Sequence, residues 1–351
     1  MSAVPRAAAA AEKIRRQRAR ASLIGFSTAI DIPGKPVSNR GDSSYWDEDS
    51  AETKDIPLIE TGIADLHQLM MREIEQCVDT DDGRLMMFFP PGCAKSTYTD
   101  VVAPPYFMGK QPGFRTILAS YASTIAIKQS RKARAMSRTP AYSSIWKERP
   151  QIAKGAADEW AMSNGSEFMA AGLLAGITGN RADLLIIDDP VQNREAADSA
   201  TIREKTYGEY IDTALSRLLP GGSAILIMTR WHEEDLAGSI LPLDYAGESG
   251  SIECRDGQTW RVICCPAESD QSDDPLGRAH GDFIWPGWFS KDKDPRDDKH
   301  WAPWRNNPRA ARTWAALYQQ RPAPDIGIHF NRDKMLYYNA DLPRGWKHDQ
   351  I

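Results

Sequence analysis

Short apolar runs alternate with longer amphipathic stretches over the first two thirds of the chain. Four of these runs predict strands: residues 85–89, 116–121, 182–187 and 223–228. The run 182–187 suits a strand that is covered on both faces. Before the first of them, apolar residues recur at helical spacing from Ile63 to Cys77, and residues 123–138 and 199–218 have helical character between later runs. Strands that alternate with helices in this way predict an α/β fold with a largely parallel sheet.

Two other segments depart from this rhythm. Residues 159–163 and 167–171 flank Asn164-Gly165, a dipeptide that tolerates positive φ and favours a hairpin turn. After the fourth predicted strand the pattern loosens, and residues 269–299 are rich in Asp, Lys, Pro and Gly. We expect a surface excursion there, followed by a last helix near residues 310–319.

The first forty residues differ in charge from the rest of the chain. They contain eight Lys or Arg and two acidic residues, whereas the whole chain has 43 basic and 48 acidic residues and a net charge of −5. Residues 7–20 predict a basic helix, and residues 31–57, rich in Pro, Gly, Ser and Asp, predict a linker. The helix is solvated in the simplest interpretation. Contact with a phosphate backbone or a partner protein, or a transit peptide, are the alternatives.

Composition excludes several classes of protein. No apolar run approaches the roughly eighteen residues of a membrane span, so no membrane is expected as a partner. The five cysteines include no C-x-x-C pair, which argues against a disulfide framework and a zinc knuckle and fits a reducing cytoplasm. The chain has 41% hydrophobic and 26% charged residues and is long enough to bury a substantial core.

The segment after the first predicted strand carries the residue types of a phosphate-binding loop. Such a loop needs a tight turn with inward-facing N–H groups, a lysine for the phosphates and a hydroxyl for magnesium, all at a helix N-terminus. Lys95 and Ser96 supply the lysine and the hydroxyl. The usual pattern G-x-x-x-x-G-K-[ST] has glycine where this chain has Phe89 and Ala94, although Gly92 restores some freedom. By itself the segment fits a plain β-turn-α connection as well as a nucleotide site.

Two carboxylates, Asp188 and Asp189, follow the apolar run 182–187. Ligands collect at the carboxyl ends of strands in parallel α/β sheets, so we expect this pair and the Lys95 loop to open onto the same crevice. Asp188 can hold a magnesium ion that bridges the phosphates, and Asp189 can orient or deprotonate the attacking water. The alternative is that the two acids and Pro190 only begin a turn.

A polar residue, Thr229, follows the run 223–228. At this position it can contact the γ-phosphate or its water and transmit the difference between a triphosphate and a diphosphate. The simpler interpretation is that Thr229 and Arg230 end a strand while Trp231 packs against a helix.

Five segments, in order along residues 15–330, resemble the large terminase subunit of tailed bacteriophages. They are PPGCAKS from Pro90, ASYAS from Ala119, GITGNRADLLIIDDP from Gly176, TRWHEEDLAG from Thr229 and WAALYQQRP from Trp314. Members of that family package DNA into a procapsid and combine an N-terminal P-loop ATPase with a C-terminal RNase H-like nuclease. The resemblance implies an ASCE-type P-loop NTPase fold with helices on a largely parallel sheet, plus a small C-terminal subdomain.

The resemblance also implies roles for individual residues. Lys95 and Ser96 resemble the Walker A pair, and Ser96 would share Mg²⁺ with the Walker B carboxylate, Asp188. Asp189 resembles the catalytic acid and Thr229 the coupling motif. The loop residues expected to bind ATP are Pro91, Gly92, Cys93, Ala94, Lys95, Ser96 and Thr97.

An arginine finger is the remaining catalytic part of such motors. One subunit of the ring inserts an arginine toward its neighbour's γ-phosphate, where the positive charge offsets charge that develops in the transition state. Arg181, just before the Asp188 strand, lies where related motors keep such a residue. Arg131 and Arg134 are the alternatives.

The family pattern divides the chain into four parts. Residues 1–57 form a basic helix and an irregular lead-in, residues 58–245 the ATPase core and residues 246–330 the lid or linker part of the ATPase domain. Residues 331–351 begin a linker to the nuclease. We expect the nuclease to be missing through truncation, gene splitting or prophage decay, and no nuclease activity from this chain.

These implications predict an Mg²⁺-dependent ATPase that drives translocation of double-stranded DNA in the cytoplasm of the bacterial host. DNA contacts would be non-specific and made to the phosphate backbone. The expected protein partners are the terminase small subunit, the portal protein and further copies of the chain in a homo-oligomeric ring. Two alternatives remain: a helicase-like translocase, and a degenerate, non-hydrolysing remnant that acts as an assembly subunit, which the substitutions in the loop favour.

Overall fold

A nine-stranded sheet forms the centre of the molecule. The computed structural model describes residues 6–32, 44–47, 52–55, 63–175, 177, 179–290 and 292–322. The described residues form eleven strands, of which the last nine make up the central sheet. They are β1 Ser44–Asp47, β2 Glu52–Asp55, β3 Arg84–Phe88, β4 Arg115–Ser120, β5 Ile152–Gly155, β6 Glu159–Met162, β7 Glu167–Gly172, β8 Ala182–Asp188, β9 Leu218–Met228, β10 Gly250–Glu253 and β11 Thr259–Cys264. The order in the central sheet is β10-β11-β3-β9-β8-β4-β7-β6-β5.

The six inner strands from β11 to β7 pair in parallel, and antiparallel strands extend the sheet at both edges. This arrangement confirms the predicted α/β fold with a largely parallel sheet. The predicted hairpin is also present, because β6 and β7 pair antiparallel across a turn in which Gly165 has a φ of 83°. Strands β1 and β2 form a separate antiparallel pair within the segment predicted as a linker.

Helices surround the sheet. They are α1 Arg6–Ala21, α2 Leu23–Ala29, α3 Asp65–Val78, α4 Ala103–Lys110, α5 Ser123–Ser137, α6 Pro140–Ile145, α7 Arg194–Asp198, α8 Ala200–Gly208, α9 Leu236–Ile240, α10 Pro286–Phe289, α11 Ala302–Arg305 and α12 Ala311–Thr313. Wider π-helical turns extend three of them, at Thr97–Val102, Glu209–Ala214 and Trp314–Tyr318. Throughout the described ranges, no helix is both long and apolar enough to cross a membrane.

The inner strands are apolar because helices cover both faces of the sheet. Along β3, Leu85 and Met87 belong to one core and Met86 and Phe88 to the other, and all four are fully buried. This alternation follows from the two-residue period of a strand. Burying one such side chain contributes roughly 1.5–3 kcal/mol, so the sheet carries much of the apolar stabilisation.

The predicted basic helix is present as α1, and the segment that follows it enters the core. Phe26 in α2 is fully buried, and its ring lies 5.6–6.0 Å from the rings of Tyr106, Tyr142 and Trp146. On α1, Glu12 accepts hydrogen bonds from Arg15 and Arg16. The α2 segment is therefore packed into the main core, whereas the side chains of α1 are mostly exposed or half-buried, and the solvated helix stays one interpretation of α1.

The region after residue 245 contains more regular structure than its sequence pattern indicates. Strand β11 pairs in parallel with β3, although its sequence Thr-Trp-Arg-Val-Ile-Cys mixes polar and apolar residues. Phe283, Ile284 and Trp285 are at most 4% exposed, so the expected surface excursion at residues 269–299 is wrong for its central part. The expected linker at residues 331–351 lies outside the described residues.

Candidate active site

The loop after β3 turns sharply into a helix. Gly92 and Ala94 adopt positive φ angles of 82° and 54°, and helical structure begins at Lys95. The Thr99 hydroxyl donates a 2.8 Å hydrogen bond to the Lys95 carbonyl and fixes this first turn. Glycine enters the left-handed region freely, whereas the same conformation costs an alanine roughly 1–2 kcal/mol. The loop therefore keeps its tight shape in spite of Ala94.

The Lys95 side chain contacts residues at the ends of two other strands. Its Nζ atom lies 2.8 Å from Oδ2 of Asp189, just past the end of β8, and 3.2 Å from Oγ1 of Thr229, just past the end of β9. Lys95 is 9% exposed. Burial alone lowers the pKa of Lys95, but the carboxylates of Asp189 and Asp188 outweigh burial and raise it above the ordinary value. The lysine is thus a fully charged cation held inside the site.

Ser96 and Asp188 form a second pair beside it. The Ser96 hydroxyl donates a 2.7 Å hydrogen bond to Oδ2 of Asp188. Asp188 is 3% exposed. Burial, and then the nearby Asp189 carboxylate, raise the pKa of Asp188 to about 6, because both disfavour a second negative charge there. A cation beside Asp188 would lower the electrostatic cost of two neighbouring carboxylates.

Hydrogen bonds of both its backbone and its side chain hold Asp189 in place. Its N–H donates to the Ile227 carbonyl at 2.9 Å, and its carbonyl accepts from the Tyr121 N–H at 3.3 Å. Oδ1 accepts a 2.9 Å hydrogen bond from the Thr229 N–H. The backbone of Asp189 has a φ of 41°, and a strained residue of this kind persists only where its surroundings hold it. The carboxylate is therefore preorganised at the edge of the sheet.

The order of the strands explains why these residues meet. Strand β9 lies between β3 and β8, so the loop with Lys95, the Asp188-Asp189 pair and Thr229 project from three neighbouring strands. In a parallel sheet all the carboxyl ends lie at one edge.

Comparison with known proteins identifies the family. A family model described as terminase large subunit, T4likevirus-type, N-terminal, matches residues 86–315, which include every residue of the arrangement above. The chain belongs to this family. No curated protein sequence matches it.

Solved terminase structures resemble the chain at low sequence identity. The large terminase of bacteriophage HK97 is 12% identical over 51% of this chain and 36% of that one, with a TM-score of 0.36. A mutant ATPase domain of the large terminase of Thermus phage P74-26 is 14% identical over 75% of this chain and 95% of that one, with a TM-score of 0.41. The chain thus spans about a third of the length of the HK97 protein.

One further buried acid, next to Asp188, was missed by sequence reasoning. Asp100 lies in the π-helical segment Thr97–Val102 and is completely buried. Its carboxyl group faces that of Asp188, and burial together with the Asp188 charge raises the pKa of Asp100 well above the ordinary value. A sequence signal existed, because Asp100 follows Ser96 by four residues, and residues so spaced share a face of a helix.

The oxygen atoms around Ser96 suit a magnesium ion. Mg²⁺ prefers hard oxygen ligands and keeps several of its waters, so it needs only one or two protein carboxylates. Oδ1 of Asp188 and both carboxyl oxygens of Asp100 are buried and accept no hydrogen bond from the part of the chain that the structure describes. Within the same ranges no group of three or more His, Cys, Asp or Glu has the geometry of an all-protein metal cage. Ser96 and Asp188 therefore fit a cation that is shared with phosphates and water.

The structure does not bring Arg181 to these residues. Arg181 precedes β8 and so lies at the opposite edge of the sheet, where it is exposed and donates a 2.8 Å hydrogen bond to the Ser216 carbonyl. The alternatives Arg131 and Arg134 lie on α5, and neither is bonded to the site residues. A role for Arg181 in a neighbouring subunit stays a prediction.

Cys93, in the middle of the loop, contributes through its backbone. It is fully buried, and burial raises the pKa of its thiol to about 12, which disfavours the nucleophilic thiolate at neutral pH. Its carbonyl lies 3.0 Å from Nε2 of His67, and the His67 ring stacks on Tyr98 at 4.3 Å. These contacts hold the Cys93 carbonyl in place.

A polar network connects Thr229 to the C-terminal part of the domain. Arg230, 4% exposed, forms a 3.0 Å ion pair with the fully buried Asp235 and lies over the Phe88 ring. The Arg230 N–H donates a 3.1 Å hydrogen bond to Oε1 of Gln320. The strand end that carries Thr229 is therefore bonded to the segment that follows the last described helix.

Proposed function

We propose that this terminase chain is an ATP-hydrolysing motor domain that drives double-stranded DNA into a procapsid. The observation that carries the proposal is the convergence of Lys95 with Asp189 and Thr229, at 2.8 and 3.2 Å, beside the Ser96–Asp188 pair. These residue types, at the carboxyl ends of three neighbouring parallel strands, are the parts that phosphoryl transfer requires. Membership in the terminase family supports the same conclusion.

Lys95 and the loop residues 91–97 bind the phosphates. Without nucleotide, the lysine charge is neutralised by Asp189. The β and γ phosphates of ATP compete for that charge, so binding draws Lys95 toward the phosphates and releases Asp189 from its ion pair. The backbone N–H groups of the loop and of the following helical turn complete the anion site.

Ser96 and Asp188 hold the magnesium ion. When bound, Mg²⁺ supplies charge neutralisation of the β and γ phosphate oxygens. Asp188 keeps its orientation through the hydrogen bond from Ser96, and both side chains present oxygen atoms to one place.

Asp189 orients the attacking water and accepts its proton. Once Lys95 has turned to the phosphates, Oδ2 of Asp189 is available to a water, while Oδ1 stays anchored by the Thr229 N–H. Thr229 contacts both Lys95 and Asp189, so its environment changes with the state of the nucleotide. Through Arg230 and Gln320 that change reaches the C-terminal part of the domain.

The remaining assignments concern assembly. Arg181 serves a neighbouring copy in a homo-oligomeric ring, since its own site lies at the other edge of the sheet. DNA is bound through its phosphates, and the small terminase subunit and the portal protein are the protein partners, in the cytoplasm of the bacterial host. The ATPase core comprises residues 58–245, and the region from residue 246 acts as its lid or linker.

A non-hydrolysing assembly subunit is the second candidate function. The alanine at position 94 favours it, because a left-handed alanine strains the loop and places a methyl group beside the phosphate position. The retained contacts of Lys95 and Asp189 favour the motor.

Steady-state ATP hydrolysis tests the proposal. We expect Mg²⁺-dependent turnover that falls at least a hundredfold, to background, in Lys95→Ala and in Asp189→Asn. Asp189→Asn should still bind a fluorescent ATP analogue, whereas Lys95→Ala should not. Lys110→Ala is the matched control, because Lys110 lies on the same continuous helix but pairs with Asp79, and it should keep wild-type turnover. A wild-type rate equal to that of Lys95→Ala would favour the assembly subunit.

A further inference from the structure

Asp100 is an acidic residue in the protein interior, where ionisable side chains are rare. It is completely buried, and neither carboxyl oxygen accepts a hydrogen bond from an N–H or O–H group of the described residues. The neighbouring Thr99, equally buried, is satisfied by its bond to the Lys95 carbonyl. A buried carboxyl group without a donor is destabilising. The ionised form of Asp100 therefore has a cost to the fold that no N–H or O–H donor of the described residues offsets.

A second buried acid, Asp188, lies beside Asp100. Its carboxyl group lies within hydrogen-bonding reach of the Asp188 carboxyl group, and Oδ1 of Asp188 also lacks a donor in the described part of the chain. The Ser96 hydroxyl occupies the other oxygen, Oδ2, at 2.7 Å. The ammonium group of Lys95 is directed to Asp189 at 2.8 Å. Two neighbouring acids thus have three buried carboxyl oxygens that no N–H, O–H or ammonium group of the described residues is bonded to.

We propose that Asp100 is an additional oxygen donor to the divalent cation at Ser96 and Asp188, either directly or through a water in its coordination shell. The proposal rests on the proposed function, because it takes the cation of that site as given. In this proposal the helix that follows the Lys95 loop supplies two oxygen groups to the cation from one face, the Ser96 hydroxyl and, one turn later, the Asp100 carboxylate. A second carboxylate raises the affinity for a hard divalent cation, since both negative charges are neutralised at once.

The proposal predicts opposite effects of one substitution in two conditions. Asp100→Asn keeps the size of the side chain, supplies an N–H donor to Asp188 and removes a buried carboxyl group whose oxygens have no donor among the described residues, so the metal-free protein should melt at a higher temperature than the wild type. The same variant should bind the cation about tenfold to a hundredfold more weakly, as is typical when a supporting ligand of a metal site is removed. A purely structural role for Asp100 predicts no change in metal affinity.

The test uses Mn²⁺ as the probe, with bound and free ion separated by electron paramagnetic resonance in the presence of saturating ADP. ADP binding is measured separately, without metal, by fluorescence of a labelled analogue. Asp100→Asn and Asp100→Ser are compared with the wild type and with Asp188→Asn. Glu73→Gln is the control, because Glu73 is also buried but pairs with Arg261 near the start of β11, away from the loop.

Each outcome separates the two proposals. Weaker Mn²⁺ binding in both Asp100 variants, with ADP affinity and Glu73→Gln unchanged, supports the role of Asp100. Wild-type Mn²⁺ affinity in the Asp100 variants, together with loss in Asp188→Asn, overturns it and leaves the proposed function intact. Absence of both ADP and Mn²⁺ binding in the wild type overturns the proposed function and this inference together. If Asp100→Asn does not fold, the same criteria apply to Asp100→Ser.

Discussion

Ala94, which precedes Lys95, and Asp189, which pairs with it, both adopt left-handed backbone conformations, with φ angles of 54° and 41°. The two positions differ in cost. Aspartate enters this region more readily than most residues, and Asp189 is held there by hydrogen bonds of its N–H, carbonyl and carboxylate. Ala94 is held only through its carbonyl, which accepts from the Thr97 and Tyr98 N–H groups, and its methyl side chain adds a steric cost. The site therefore contains two residues with left-handed backbones. The side chain of Asp189 contacts Lys95, whereas the side chain of Ala94 makes no polar contact.

Replacing Ala94 by glycine should stabilise the protein. The gain is about 0.5–1 kcal/mol, because glycine relieves the left-handed strain but loses more conformational entropy on folding. The free energy of unfolding in urea measures it. Ala119→Gly in β4, a fully buried position in regular extended structure, is the control and should be destabilising. Equal destabilisation by both changes would contradict the account of the loop. The glycine variant should also bind ATP more tightly.

Replacing Arg230 by methionine should be strongly destabilising. It would leave Asp235 buried and without its cation, at a cost of about 3–5 kcal/mol. Thermal or urea unfolding measures the loss. Arg230→Met combined with Asp235→Asn should recover part of it, because the buried charge is then removed. Arg312→Met, which breaks a more exposed pair with Asp198, should cost at most about 1 kcal/mol. Similar losses in the two single variants would argue against a buried pair.

Acid should weaken the contact between Asp274 and Arg278. Burial alone raises the pKa of Asp274, but the hydrogen bond and charge of Arg278 outweigh burial and hold it below the ordinary value of 3.8. The folded state therefore binds fewer protons than the unfolded state just below pH 3.8. The stability from this pair is complete above that pH and is lost as the pH falls through the lowered pKa of the folded state.

The pH dependence of unfolding checks this sign. Asp274→Asn should lower stability at pH 7 and flatten the loss of stability below about pH 4. Asp298→Asn is the control, because Asp298 is 41% exposed and lies 3.6 Å from Arg305, and its curve should follow the wild type. An unchanged acid slope in Asp274→Asn would contradict the assignment.

Replacing Phe26 by alanine should destabilise the whole domain. Phe26 is fully buried among three aromatic rings, and such truncations cost about 3–5 kcal/mol. A single cooperative transition, shifted to lower urea, is expected, since α2 is part of the main core. Ile14→Ala on α1, where the side chain is 51% exposed, should change stability by less than about 0.5 kcal/mol. A separate early transition in Phe26→Ala would show that the N-terminal helices unfold independently.

The sequence alone determined the elements whose signal is local. Strands β3, β4, β8 and β9 are continuous apolar runs because both of their faces are covered, so periodicity and length were enough to find them. The carboxylates after β8 were visible because they end an apolar run, and Lys95 was visible from the residue types of the loop that follows β3.

The tertiary structure decided everything that depends on which strands are neighbours. Strand β11 has a mixed pattern and belongs to the central sheet only because it pairs with β3. Arg181 lies at the far edge from Asp188 although both residues border the same strand, because a strand of seven residues carries its two ends apart. The candidate role of Asp100 becomes visible only in the folded protein, because folding brings its carboxyl group next to that of Asp188. Periodicity is a property of the local sequence and therefore predicts individual helices and strands. Contacts between residues distant in the chain form only when the chain packs, so the sequence pattern does not show them.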